Sequence, residues 1–127
     1  SGELPKLAAG TMADGQVVCA EAGGIDDKDT AAMKTLNDFK AKFKTKFNAD
    51  VQIYSPYVYD ALNLMVASMV KAGSAEPAKY LPVLAKTEGY KGVTGTISFD
   101  NKGDIKNGAL TMHSYKGDKM TNIGVVR

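Results

Sequence analysis

The chain has 127 residues, 44% of them hydrophobic and 24% charged, with a formal net charge of +2. These proportions are ordinary for a folded globular domain and exclude a disordered tail or a fibre. No apolar run approaches the roughly 20 residues that a membrane-spanning helix needs. Fifteen of the sixteen basic residues are lysine and only Arg127 is arginine. Nucleic-acid readers depend on arginine forks and stacked aromatics, so lysines spread this evenly predict a solvating coat and no nucleic-acid partner.

Ser1 to Ala9 reads as a short helix, with Ser1 able to cap it and Gly10 standing where a helix stops. Its opening, Ser1-Gly2-Glu3-Leu4, has no signal-peptide pattern, so any export signal is expected upstream or already removed. Gln16 to Glu21 is an apolar run of strand length containing the single cysteine, Cys19, which is expected to behave as a small buried hydrophobe. One cysteine excludes an intrachain disulfide and a cysteine-based metal cluster. Ala22 to Asp29 is rich in glycine and aspartate and predicts a connection.

The next stretch, Phe39 to Phe47, alternates with period two, as a strand would. Yet Met33, Leu36, Phe39, Phe43 and Phe47 recur at spacings of three and four. The run from Thr30 is too long for an ordinary strand, and Asp29 or Thr30 offers an N-cap, so the prediction is a helix. Lys40, Lys42, Lys44 and Lys46 then fan over its solvent side, a solvated face rather than an anion site.

Asp50 to Tyr54 is expected to be briefly extended. Ser55 as cap and Pro56 at the first helical position then open a helix that Ala72-Gly73 closes. Apolar residues from Val58 to Val70 cover nearly its whole circumference, which predicts burial on more than one side. A further helix spans about Glu76 to Lys86, with Pro82 expected to kink or interrupt it. From Tyr90 the pattern turns to strand: Val93, Gly95, Ile97 and Phe99 alternate and predict one strand. Asp100 to Asp104 is a turn; Lys102 stands where a calcium loop needs an oxygen ligand, and Gly103 comes too early. Ala109 to Tyr115 and Lys119 to Val126 flank Lys116-Gly117-Asp118 and predict an antiparallel hairpin.

Little in this sequence carries chemistry. His113 is the lone histidine, so no histidine pair exists, and its place on a strand face predicts a surface or interface residue. Neither the carboxylates nor the glycines form a catalytic or phosphate-binding pattern, so no enzyme activity, cofactor or metal is expected. One cluster stands out: Tyr54, Tyr57 and Tyr59 bring three of the six tyrosines to the start of the Pro56 helix. They either anchor the helix in a core or give an apolar ligand an aromatic wall.

Tyr54 to Met65 (Tyr-Ser-Pro-Tyr-Val-Tyr-Asp-Ala-Leu-Asn-Leu-Met) and Tyr90 to Gly108 are similar to the branched-chain amino-acid-binding proteins of ABC transporters. Asp38 to Phe43 and the helix at Tyr80-Leu81 also resemble that family, and the likeness covers essentially the whole chain in the family's order. The resemblance implies an α/β chain with an incomplete type I periplasmic-binding-protein fold, holding parts of both lobes and ending in an antiparallel hairpin. It places residues 1–24 at the end of a second-lobe segment, 25–99 in the C-terminal part of the first lobe, and 100–127 back in the second lobe with the hairpin. It implies a periplasmic protein that binds a small aliphatic amino acid and delivers it to an ABC permease. An amide or amino-acid sensor of the same fold and a ligand-free oligomeric interaction domain are the alternatives.

For the site, the resemblance carries over Tyr54, which matches an aromatic ligand contact just ahead of the Tyr-Asp-Ala-Leu helix, and secondarily Tyr57, which Pro56 turns differently from its counterpart. The family's groups for the ligand's carboxylate and ammonium fall upstream of Ser1. A zwitterion desolvated without both partners is costly, so this chain alone is expected to bind very weakly or not at all. With covering elements missing, its apolar helix is expected to drive homo-oligomerisation or a domain-swapped dimer.

Overall fold

A computed structural model describes residues 3–8, 10–25 and 29–127. The chain divides into two compact units, Ser1–Asp26 with Asn107–Arg127, and Asp27–Lys106. The expected Ser1 cap lies outside the described residues.

The first unit gathers both ends of the chain. Helix α1 (Leu4–Ala8) is a single turn and a half, and Gly10 follows it at φ +79°, a backbone that favours glycine. Strands β1 (Val18–Ala22), β4 (Leu110–Lys116) and β5 (Lys119–Val126) form a three-stranded antiparallel sheet in the order β1-β4-β5. The expected hairpin is therefore present as β4–β5, closed by a two-residue turn at Gly117 (φ +57°) whose amide donates to Asp14 Oδ1 at 2.7 Å. Its ladder is broken by a bulge at Met112/His113, where β5 skips from Asn122 to Gly124, leaving Ile123 outside the register and 57% exposed. Tyr115, 1% exposed, is the fully buried side chain of this unit among the described residues.

The second unit is three helices and a small hairpin. Helix α2 (Thr30–Phe47) begins as expected: Asp29 caps it, its carboxylate accepting from Ala32 N at 3.0 Å. It ends at Asn48 in the left-handed region, φ 49°. Along its apolar face Phe39, Phe43 and Phe47 meet in series as tilted rings, and Phe39 packs on Tyr59 with ring centroids 5.0 Å apart.

Helix α3 (Ser55–Ala72) corrects three expectations. Ser55 is not the cap but already helical; Tyr54 occupies the cap position without a side-chain bond, while Ser55 Oγ turns back to accept Gln52 N at 3.0 Å. Ile53 and Tyr54 form a turn rather than extending the preceding segment. The helix is also not buried on several sides. Pro56, Asp60, Leu64 and Ser68, one ridge at steps of four, are its buried residues. The opposite ridge, Val58, Leu62, Val66 and Val70, is 65, 56, 47 and 75% exposed. Apolar composition alone does not bury a surface; a partner element has to cover it.

Gly73, at φ 63°, closes α3 by donating to Met69 and Val70 carbonyls. Helix α4 (Pro77–Ala85) packs on α3. Pro82 lies inside it and does not end it, at the cost of one backbone hydrogen bond. Strands β2 (Tyr90–Gly92) and β3 (Gly95–Ile97) replace the single strand expected over Val93 to Phe99. They pair antiparallel, Tyr90 with Ile97 and Gly92 with Gly95, around a two-residue turn at Val93-Thr94. The period-two pattern was real for Gly95 to Ile97 but continued by coincidence across a chain reversal. Gly95, at φ +123°, takes a conformation open to glycine. Asp100 to Asp104 is a turn, with Asp100 Oδ1 accepting from Lys102 N and Asp104 N at 2.8 and 2.9 Å.

Candidate functional site

Tyr54 and Tyr57 sit where the chain enters α3. A helix start leaves its first amides without intrahelical partners and carries partial positive charge. Tyr54 holds near-helical angles (φ −90°, ψ −10°), so Tyr57, three residues on, lies on the same side of the helix. Tyr54 is 72% exposed and Tyr57 37%. The two form an aromatic rim at the surface of the second unit, apolar in the ring and polar at the hydroxyl. Tyr59, the third tyrosine of the cluster, does something else: it is the packing partner of Phe39 on α2. All three rings are exposed, Tyr59 at 49%, so it is the contact with Phe39 and not burial that sets Tyr59 apart from Tyr54.

Two concavities of the unit, among the described residues, do not include Tyr54 or Tyr57. One, of about 520 Å³, lies between the start of α2, α3 and the β2–β3 hairpin, bordered by Thr35, Tyr59, Asp60, Asn63, Tyr90 and Thr96. The other, of about 230 Å³, lies between α3 and α4 and is bordered by Leu64, Ser68, Val83 and Glu88. Both are open to solvent.

The early turns of α3 are tied to a neighbouring turn by a residue the sequence did not mark as special. Asp60 is 3% exposed. Its Oδ1 accepts from Val93 N at 2.8 Å, and its Oδ2 from Thr94 N at 2.8 Å and Thr94 Oγ1 at 2.5 Å. A buried carboxylate is tolerated when donors converge on it. These bonds clamp the Val93-Thr94 turn to the first turns of α3. Gly92 completes the clamp: a Cβ there would collide with the Asp60 carboxylate. The available signals were a lone acid on the buried ridge of an apolar helix and a two-residue turn bracketed by Gly92 and Gly95.

The first unit has a polar cluster on its sheet. Cys19 pairs directly with His113 and Glu21 with Thr111 across β1 and β4. His113 is more enclosed than a surface residue, its side chain 12% exposed; Nε2 lies 3.2 Å from Glu21 Oε2, near enough for an ion pair but without hydrogen-bond geometry. Cys19 is half-buried. Burial pushes the Tyr115 phenol pKa above its ordinary value, and neighbouring Cys19 and Glu21 add to the rise. Thr111 Oγ1 donates to the Gly23 carbonyl at 2.8 Å. Nothing here pairs a nucleophile with an oriented base. Among the described residues, no group of three histidine, cysteine or acidic side chains could hold a metal ion. No described helix is long and apolar enough to cross a membrane.

No family model matches the chain. Over 111 residues it is 29% identical to a leucine-, isoleucine-, valine-, threonine- and alanine-binding protein of Pseudomonas aeruginosa; the match covers 87% of this chain and 28% of that protein. In structure it is similar to a leucine-binding protein of Thermotoga maritima, with a TM-score of 0.75 at 18% identity, covering 99% of this chain and 34% of the other. A substrate-binding protein from Streptococcus pneumoniae in complex with isoleucine gives a TM-score of 0.66 at 19% identity, covering 88% and 30%. The chain therefore spans about a third or less of the length of these relatives. It has the fold of part of a type I periplasmic-binding protein, and the proteins it resembles in sequence and in structure are the branched-chain amino-acid substrate-binding proteins of ABC transporters.

Proposed function

We propose that this chain supplies one wall of an amino-acid clamp that works in the periplasm, where it takes up an aliphatic amino acid such as leucine, isoleucine or valine and presents it to an ABC permease. The likeness over 87% of the chain to a protein named for binding those amino acids carries the reading. Residues 25–99 belong to the first lobe, and 1–24 with 100–127 to the second. The joining of both chain ends in one compact unit supports that division, although residues 100–106 fall in the other unit.

Tyr54, with Tyr57 beside it, is the wall. Its ring stands open at the start of α3, free to lie against an aliphatic side chain, and Asp60 holds that helix start to the neighbouring turn. The groups that match the ligand's carboxylate and ammonium come from outside these 127 residues. An unmatched charge taken out of water costs several kcal/mol, so the chain by itself binds very weakly. In isolation it associates with copies of itself.

Calorimetry tests the reading in two arms. A polypeptide of the relatives' length that carries these residues binds leucine, isoleucine or valine at micromolar concentration, and the 127-residue chain gives no measurable heat. Micromolar binding by the short chain, or no binding of any aliphatic amino acid by the longer one, refutes it.

A further inference from the structure

The chain holds six asparagines, and one of them, Asn107, is followed by glycine. Asn107 and Gly108 are exposed and lie in the connection ahead of β4. The backbone is held on either side of them: the Lys106 amide donates to the Ser98 carbonyl at 2.9 Å, and the Ala109 carbonyl accepts from the Gly23 amide at 2.7 Å. Between these anchors, neither the Asn107 side chain nor the Gly108 amide has a hydrogen-bond partner among the described residues.

We infer that Asn107 is a site of spontaneous deamidation. The Gly108 nitrogen, on losing its proton, attacks Cγ of the Asn107 side chain. The N–Cγ bond forms, the Cγ–Nδ2 bond breaks, and Nδ2 leaves with that proton as ammonia, which closes a five-membered succinimide. Water then opens the ring. Cleavage at Cγ leaves aspartate in an unaltered main chain; cleavage at the main-chain carbonyl leaves isoaspartate, whose chain runs through Cγ and is one carbon longer. Either product carries a carboxylate in place of an amide and lowers the formal charge of +2 by one. Isoaspartate sets its added carbon just ahead of Leu110, which pairs with Ala22 and with Val126.

Other pairs in the chain lack one requirement or another. A side chain on the following residue crowds the approach of its own nitrogen, and glycine has none. Asn48, the other described asparagine at positive φ (49° against 54°), precedes Ala49. Asn63 donates Nδ2 to the Tyr59 carbonyl at 2.7 Å and precedes Leu64. Asn122 Oδ1 accepts from the Gly124 amide at 2.8 Å and precedes Ile123. Asp14-Gly15 would close the same ring by loss of water. There, however, Asp14 Oδ1 accepts from the Gly117 amide at 2.7 Å and the Gly15 amide donates to the Tyr115 carbonyl at 2.8 Å. Groups already bonded must give up those bonds before they react.

The 127-residue chain, kept in mildly alkaline buffer where amide nitrogens lose protons faster, is expected to accumulate a more acidic species on cation exchange. Peptide mapping places a gain of about one mass unit at Asn107, and isoaspartyl methyltransferase labels the isoaspartate fraction. Gly108→Ala slows formation about tenfold or more, since the new Cβ crowds the nitrogen. Asn107→Gln, whose longer side chain has to close a six-membered ring, stops it on the same timescale. Should either variant unfold, the wild-type map decides: Asn107 has to react ahead of Asn48 and of Asp14. An acidic species that maps elsewhere, a rate unchanged in Gly108→Ala, or a native chain that stays intact while the same chain reacts in urea overturns the inference.

Discussion

One oxygen of Asp60 ties together residues thirty-four positions apart: Oδ2 accepts both the Thr94 amide at 2.8 Å and the Thr94 hydroxyl at 2.5 Å. Together with the Oδ1 bond to Val93, this is the polar centre of a unit whose buried apolar core among the described residues is thin, with Leu64 and Pro56 on the same ridge. Removing the acceptor strands two partly buried backbone donors beside a buried position, which is costlier than an average hydrogen bond.

Asp60→Ala is therefore expected to lower unfolding stability by about 3 kcal/mol, and Thr94→Val by about 1 kcal/mol. Gly92→Ala should cost about 2 kcal/mol or more, because the new methyl must displace the carboxylate. Urea unfolding followed by circular dichroism measures all three. An Asp60→Ala variant as stable as the wild type would show that the clamp contributes nothing.

Much of this was legible in the sequence because local signals and fold agreed. Asp29 caps α2, Phe39 and Phe43 mark its packed face, Gly73 ends α3, and Gly117 turns the final hairpin. Where reading failed, the deciding interaction was a long-range bond in one case and a competing local one in another. The alternation from Val93 to Phe99 concealed a reversal that Asp60 stabilises from another helix. Ser55 looked like a cap because local order favours it, but its hydroxyl serves Gln52 instead. The open ridge of α3 could not be foreseen either, since hydropathy records what a surface would gain by being covered and not whether anything covers it.

If Tyr54 is the proposed ligand wall, its substitution separates stability from recognition. Tyr54, at 72% exposure, makes little packing in this unit. Tyr54→Ala is expected to change unfolding stability by no more than about 0.5 kcal/mol. In a polypeptide of the relatives' length it should weaken leucine binding about tenfold or more, as loss of an aromatic contact does, while Tyr54→Phe retains most of the affinity. Titration calorimetry on the three proteins decides, and an unchanged affinity in Tyr54→Ala removes this residue from the site.

Helix α2 offers a test of its ends. Asp29 Oδ1 is the acceptor for Ala32 N, so Asp29→Ala should cost about 1 kcal/mol. Asn48 closes the helix at φ 49°, which glycine adopts with less strain, so Asn48→Gly should gain a few tenths of a kcal/mol. The two sites are at opposite ends of an 18-residue helix, and their effects should add in the double variant. Unfolding midpoints of the three variants measure this, and a coupled result would mean that α2 frays as one block.

Tyr115 gives the first unit a dependence on alkaline pH. The phenol is 1% exposed. Burial raises its pKa above the ordinary value of about 10, and the Cys19 and Glu21 neighbours push in the same direction. The native state thus favours the protonated phenol more strongly than the unfolded chain does. Above the unfolded pKa the unfolded state releases this proton first, so stability is fully present below about pH 10 and falls as pH rises through the native pKa. The phenolate absorbance of the folded protein should show Tyr115 ionising above the ordinary phenol value of about 10, coincident with loss of sheet structure. Tyr115→Phe removes that late step and, with no phenol to ionise, makes the remaining alkaline unfolding less steep. If Tyr115 ionises at the ordinary phenol value of about 10, it is open to solvent and the first unit has no sealed core at this position.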